Sequence, residues 1–180
     1  MEGALVLPVF FLILFGIIEF GAAYGNKLGA SNTVTSGTRT ASAGGNDGFA
    51  DYFILQSVKK GSSAITPGAV QYVVVFKATG VDSVPTTTCR NGDPVPGVCN
   101  VYEPADFDAT KARFGCQTGE DLDEYWCPSG RKTAQTAASG GPPDYIGVYV
   151  KVIHQYYTGF FGSTVTLTDQ AIIQIEPRQL

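Results

Sequence analysis

The chain has 180 residues, a formal net charge of −4 and hydrophobic residues at 44% of its positions. This length indicates one domain with an N-terminal appendage, since domains run to about 100–200 residues. The negative net charge argues against the basic surface that nucleic-acid binding requires. Acidic residues are concentrated between Asp82 and Glu124, where nine of them are accompanied by three basic residues. We interpret this segment as a solvated face.

An uncharged apolar run occupies residues 3–18, between Glu2 and Glu19, and reads GALVLPVFFLILFGII. No lysine or arginine precedes it, whereas a cleaved secretory signal begins with basic residues. Residues 3–24 supply the roughly 20 residues of a membrane-spanning helix, provided that Glu19 is paired or lies at the membrane surface. Pro8 removes one backbone donor from this helix and predicts a kink or a loosened turn.

The small residues after Gly25 predict that the helix continues to residue 43 as a thin, polar-sided stem. The larger residues on its apolar side are Leu28, Val34 and Ala41. Gly44 and Gly45 then predict a turn, with Asn46 or Asp47 capping a second helix over residues 48–60. Its apolar side comprises Ile54, Leu55 and Val58, and Gly61 is predicted to follow it as the C-terminal cap.

Three alternating segments, residues 71–78, 145–153 and 164–175, predict an antiparallel sheet with one buried face. The last two strands are close enough for a hairpin. Its connection contains Tyr156, Tyr157, Phe160 and Phe161. From the residues alone, a buried corner of the core and an exposed aromatic patch are equally compatible with this connection.

A long insertion, residues 81–141, separates the first two predicted strands and contains all four cysteines. These are Cys89, Cys99, Cys116 and Cys127, with C-x9-C and C-x10-C spacing. This spacing lacks the C-x2-C pairs of zinc ribbons and indicates two disulfides formed in an oxidising compartment. Of three possible pairings we favour the local one, which closes two short loops. We expect the disulfides to substitute for a core in this segment, and a short helix at residues 132–138.

No catalytic constellation is recognisable, so we expect no enzyme activity, no cofactor and no metal. The chain contains no G-x-S-x-G elbow, Walker loop or dinucleotide fingerprint. His154 is interpreted as an ordinary strand-end residue. The acids at residues 106–108 and 120–124 could offer oxygens to Ca²⁺, but they lack the calcium-loop pattern D-x-[DN]-x-[DN]-G.

Glu2 is the ionisable residue with the sharpest candidate role. A carboxylate at the head of an apolar helix is costly in hydrocarbon unless a positive group pairs with it. In a bundle of such helices, the α-amine of a neighbouring subunit is the obvious partner, and this contact would set the axial register. Glu2 is equally compatible with a position in lipid headgroups or water.

Glu2 and the following GALVLPVFFLILFGIIEFG closely resemble the N-terminal segment of TadE-like pilus-assembly proteins, the pseudopilins of the tight-adherence branch of type IV pili. Later stretches are similar to the secreted parts of actinobacterial members. They read NDGFADYFILQSVKK, GVCNVYEPADF, SGGPPDYIGVYVKV and FGSTVTLTDQAIIQIEP. Glu2 matches the family's glutamate near the mature N-terminus, and Glu19 matches the acid of the GIIEFG motif.

The resemblance implies a prepilin-like protein. In this family a prepilin peptidase removes a short basic leader, and the mature helix waits in the membrane before the subunit joins or primes a pilus. Only Met1 precedes Glu2 in this sequence, so processing is an expectation taken from the family.

We therefore expect an α+β, pilin-like fold, in which residues 1–43 form an apolar helix and stem and residues 44–180 form an extracytoplasmic domain. Glu2, Pro8 and Glu19 are the candidate assembly and register residues. The expected partners are other pilin or pseudopilin subunits, membrane lipid, the pilus secretion machinery and the prepilin peptidase, but no nucleic acid. The expected location is the cell membrane, with one pass and the C-terminal domain outside, or a pilus filament. The alternative is a membrane-anchored, adhesin-like binding domain.

Overall fold

The structure, a computed structural model, describes residues 2–133 and 141–176, with side chains from residue 6 onward. Its helices are α1 (Glu2–Gly44), α2 (Ala50–Gly61) and α3 (Thr87–Asn91). Its strands are β1 (Val70–Ala78), β2 (Cys99–Tyr102), β3 (Tyr145–Gln155) and β4 (Thr164–Gln174). The α+β prediction is confirmed. The short helix expected at residues 132–138 lies mostly outside the described residues.

The four strands form one antiparallel sheet in the order β2-β1-β3-β4. Three of them are the strands that alternation predicted, and β3 and β4 form the expected hairpin. The additional strand, β2, lies within the insertion and pairs Cys99 with Phe76 and Tyr102 with Val73. Its four residues are too few to show an alternating pattern, so the sequence did not reveal it.

Helix α1 is continuous through Pro8 and reaches Gly44, as predicted for the stem. The stem is not a thin connector, because its inner face belongs to the main hydrophobic core. Ala30, Val34 and Ala41 are fully or almost fully buried there, whereas Leu28 is about half exposed. This half of α1 packs against α2 and against the β3–β4 hairpin.

Small residues in α1 permit this close packing. A Cβ atom added at Gly29 would lie 2.8 Å from Cγ1 of Ile65, and one added at Gly37 would lie 2.9 Å from Cγ2 of Val58. Both distances are too short for a real contact. The glycines that weaken the helix prediction therefore serve the tertiary packing.

The second helix occupies the predicted region and buries Ile54, Leu55 and Val58 as expected, but its ends differ from the prediction. Phe49 is the N-terminal capping residue, and its N–H donates to Oδ1 of Asp47 at 2.9 Å. Gly61 is the last helical residue. A Cβ at Gly61 would lie 2.9 Å from Cα of Thr33, so its small size serves the contact with α1.

The disulfides join Cys89 to Cys99 and Cys116 to Cys127, which is the local pairing favoured from the spacing. We expected the disulfides to substitute for a core in the insertion, and this is only partly correct. Three aromatic residues of the insertion, Phe107, Phe114 and Trp126, are buried in the main core.

A buried ion pair also fastens the insertion to α2. Oδ1 of Asp51 lies 2.7 Å from Nη1 of Arg131, and both side chains are fully buried. Oδ2 of Asp51 accepts hydrogen bonds from the Tyr102 hydroxyl at 2.6 Å and from Nδ2 of Asn100 at 2.9 Å. The Arg131 guanidinium lies 4.2 Å from the centre of the Trp126 ring. A buried charge pair of this kind requires such additional hydrogen bonds to offset its desolvation.

Candidate membrane and assembly surface

The N-terminal half of α1, called the apolar half below, exposes large apolar side chains along much of its surface. Those exposed by 39–67% within residues 6–18 are Val6, Leu7, Val9, Phe10, Phe11, Leu12, Ile13, Leu14, Ile17 and Ile18. In the described part of the chain, α1 is the one helix long and apolar enough to cross a membrane. Only 11% of its most apolar 18-residue window is buried, whereas a core helix of a soluble protein would be mostly buried.

From Phe15 onward, a stripe of buried residues runs along one face of α1. Its members recur every three or four residues and are Glu19, Ala23, Asn26, Ala30, Val34, Thr38 and Ala41. This spacing places them on a single side of the helix. The stripe contacts the sheet through β3 and β4, so the hairpin lies along α1 from the apolar segment to the end of the stem.

Glu19 lies at the start of this stripe and is fully buried. Its carboxylate accepts a hydrogen bond from the Tyr157 backbone N–H at 2.9 Å and a second from the Thr158 backbone N–H. Both donors belong to the connection between β3 and β4. A membrane-spanning helix over these residues required that Glu19 be paired. Two backbone amides of the same chain provide that pairing.

The aromatic connection of the hairpin packs against the apolar half of α1. The Phe161 ring centre lies 5.0 Å from that of Phe20, and the Phe160 ring centre lies 6.3 Å from that of Phe15. Phe160 nevertheless remains 68% exposed, and Tyr157 remains 70% exposed. Of the two interpretations left open by the sequence, the structure supports an exposed aromatic patch, continuous with the exposed apolar surface of α1.

Polar contacts fasten α1 to the sheet just beyond the apolar segment. Nδ2 of Asn26 donates to Nδ1 of His154 at 2.8 Å, and Oδ1 of Asn26 accepts from the Thr66 backbone N–H at 2.9 Å. Nζ of Lys27 lies 3.2 Å from a carboxylate oxygen of Asp169 in β4. His154 lies near the end of β3, as interpreted from the sequence, and is 2% exposed with its ring held by α1.

The acidic residues of the insertion make turn contacts. Asp106 accepts the Glu103 backbone N–H at 2.8 Å. The Gln117 backbone N–H donates to Asp121 and lowers the pKa of this carboxyl. Burial raises the pKa of Asp123 to about 6, although Gly115 donates its N–H to this carboxylate. Among the described residues, no group of three or more His, Cys, Asp or Glu side chains could hold a metal ion.

The structure separates the three candidate register residues. Glu2 lies in the first turn of α1, about 25 Å along the axis from Glu19 at 1.5 Å per residue. The Glu2 side chain is outside the described atoms. Pro8 is exposed within the apolar half. Of the three, Glu19 contacts the hairpin, and the assembly roles of Glu2 and Pro8 stay predictions.

Comparison with protein families matches residues 1–41 to the TadE-like protein family. The matched residues cover α1 except for its last three residues and include the whole exposed apolar surface. No match was found among curated proteins or among solved structures.

Proposed function

We propose that this chain, a TadE-like pilus-assembly protein by its N-terminal helix, is a pseudopilin subunit of a tight-adherence pilus. The apolar half of α1 anchors it in the membrane, and the α+β domain lies outside the cytoplasm. The subunit joins the filament or primes its assembly through contacts between apolar helix halves.

The observation that carries this proposal is the continuity of α1 from the exposed apolar surface into the core of the outer domain. A tethered binding domain needs only a flexible linker between its anchor and its recognition surface. Here the helix runs without a break from Glu2 to Gly44 and is fastened to the sheet beyond residue 18. Packing between apolar halves would therefore also determine the orientation of the outer domains, as a regular filament requires.

The disulfides support the proposed side of the membrane. Each of the four cysteines is bonded, and disulfides persist in oxidising compartments outside the cytoplasm. A C-terminal domain outside and an N-terminus at the cytoplasmic face follow from this assignment.

Substitution of Glu2 tests the assembly role. Glu2→Ala removes the proposed partner of a neighbouring α-amine, so we expect about tenfold less of this subunit in sheared filaments, the effect of losing about 1.4 kcal/mol per contact. The measurement is quantitative mass spectrometry of the filaments and of the membrane fraction. Glu124→Ala, at an exposed acid of the insertion, is the matched control and should be incorporated normally. Normal incorporation of Glu2→Ala would remove Glu2 from the assembly mechanism.

Crosslinking separates the pilus subunit from an anchored adhesin-like domain. Cysteines introduced at Val9 or Ile13, both exposed on the apolar half, should form disulfide-linked dimers in piliated cells. The native cysteines are all bonded and do not compete. An adhesin-like domain predicts no such dimers at native abundance.

A further inference from the structure

We propose that the tip of the β3–β4 hairpin, residues 156–163, is a second membrane-contacting element. It inserts into the outer leaflet beside α1, with its aromatic rings among the lipid acyl chains and headgroups. This inference rests on the membrane anchoring of α1 and is independent of any role in a pilus.

The position of the tip along α1 corresponds to the outer part of a membrane span. A hydrocarbon core of about 30 Å needs about 20 helical residues at 1.5 Å each, so a span that starts after the charged Glu2 ends near residue 22. The tip contacts α1 at Phe15, through Phe160, and at Phe20, through Phe161. Phe15 lies about 10 Å before the end of that span. A helix that crosses the membrane from Gly3 therefore places the tip within the outer leaflet.

The tip itself is free of acidic and basic residues and reads YYTGFFGS. Between Lys151 and Asp169 there is no Asp, Glu, Lys or Arg, and the one histidine, His154, is buried. The Tyr157, Phe160 and Phe161 side chains of the tip are 70%, 68% and 39% exposed. Aromatic side chains are enriched at membrane–water interfaces, because their rings are apolar and tyrosine retains a polar end.

Backbone amides of the tip are hydrogen-bonded within the protein. Lipid offers no partners, so a loop at this depth must pair its polar groups within the protein. Five amides in the tip donate to protein acceptors; they belong to Tyr156, Tyr157, Thr158, Phe160 and Gly162. Two of them converge on the carboxylate of Glu19. This contact provides hydrogen-bond partners both for an acid inside an apolar helix and for two amides of an apolar loop.

Lipid is the occupant that best fits this surface. The aromatic patch is continuous with the apolar surface of α1, since Phe160 stacks on Phe15 and the Phe161 ring lies tilted against Phe20. If α1 and the hairpin tip face the same bilayer, their apolar side chains must form one uninterrupted surface. They do form such a surface.

Depth-dependent fluorescence quenching tests the inference on the full chain. Because every native cysteine is bonded, Phe160→Cys provides a single site for an environment-sensitive dye. Phe160 is largely exposed, so its substitution spares the core. The chain is reconstituted into vesicles of phosphatidylcholine and phosphatidylglycerol, with nitroxide-labelled lipids as quenchers in the membrane and iodide as the quencher in water. Val9→Cys in the apolar half and Val84→Cys in the insertion are the two reference sites, 59% and 63% exposed.

We expect the dye at position 160 to be quenched by nitroxide lipids several-fold more than the dye at position 84, and to be protected from iodide. If position 9 is quenched by lipid while position 160 behaves like position 84, the hairpin inference is overturned and the anchoring stands. If position 9 is not quenched by lipid, both the anchoring and the inference fail. Protection of position 160 from both quenchers, lost on dilution of the protein in lipid, would show that a second copy covers the tip and would overturn lipid as the occupant.

Discussion

The two halves of α1 have the same backbone conformation and opposite surroundings. Residues 6–18 carry large apolar side chains that are exposed, whereas residues 26–44 carry small and polar side chains of which many are buried. Hydrophobicity alone would predict that the large apolar side chains are buried and that the small and polar side chains are exposed. The difference shows that packing against the α+β domain requires small residues for close approach, while the apolar half has a surface suited to contacts outside the folded chain.

Polar residues can be buried in the second half because their hydrogen bonds are made locally or to the sheet. The Thr33 hydroxyl donates to the Gly29 carbonyl at 2.8 Å, and the Thr38 hydroxyl donates to the Val34 carbonyl at 2.6 Å. The Ser42 hydroxyl donates to the Gln174 carbonyl of β4 at 3.0 Å. Burial then costs little, since no polar group is left without a partner in these contacts.

The largest expected effect comes from filling the close contact in the second half. Gly37→Leu would force a side chain against Val58 and Val148, and we expect a loss of about 2 kcal/mol in the free energy of unfolding. Gly21→Leu, in a position with no neighbouring atoms within 4 Å, is the matched control. It should be neutral or stabilising by up to about 0.8 kcal/mol, through helix propensity. Urea unfolding in detergent micelles, followed by Trp126 fluorescence, measures both. Equal stability of the two variants would contradict the contrast between the halves.

A local effect is expected at the boundary between the halves. Glu19→Ala leaves the Tyr157 and Thr158 amides without their acceptor, so the hairpin tip should separate from α1. We expect hydrogen exchange of these two amides to accelerate roughly tenfold or more, while β1 exchanges as before. Glu19→Gln keeps an acceptor oxygen and should give an intermediate rate. Unchanged exchange in Glu19→Ala would show that the carboxylate does not hold the tip.

The smallest expected effect is a pH dependence of the free energy of unfolding. We expect it to arise in the insertion and not in either half of α1. The pKa of Asp123 is raised to about 6 by burial, so between its ordinary value and pH 6 the folded chain binds a proton that the unfolded chain releases. Stability therefore increases as the pH falls from 7 to 5. We expect about 1 kcal/mol, because about one pH unit of the shift, from pH 6 to pH 5, falls within this range and one unit corresponds to about 1.4 kcal/mol.

Urea unfolding at pH 7 and at pH 5 measures this dependence, and Asp123→Asn should abolish it. The lowered pKa of Asp121 has the opposite sign, but its contribution is lost only below the ordinary carboxyl range and does not affect this window. A slope that persists in Asp123→Asn would place the titrating group elsewhere.

Much of this fold could be predicted where the pattern is local. Three strands follow from alternation, because residues two apart share a face, and α2 follows from its apolar side. Strand β2 could not be predicted, since Cys99–Tyr102 acquires its hydrogen bonds from β1, more than twenty residues earlier. The burial of Trp126 and Arg131 was missed for a similar reason. Asp51, the partner of Arg131, lies in α2, and a charge pair in a Pro/Gly-rich segment resembles a solvated one in sequence. Trp126 is covered by the Arg131 guanidinium.

Composition and spacing alone established that α1 carries an apolar segment long enough for a membrane, that its motif is TadE-like and that four closely spaced cysteines form disulfides. These properties depend on composition and spacing along one stretch of chain. Only the tertiary structure decided the environment of Glu19, because the two amides that bind it lie 138 and 139 residues away. The same tertiary contact brings Phe160 and Phe161 onto α1 and converts an ambiguous aromatic loop into a surface continuous with the apolar half of that helix.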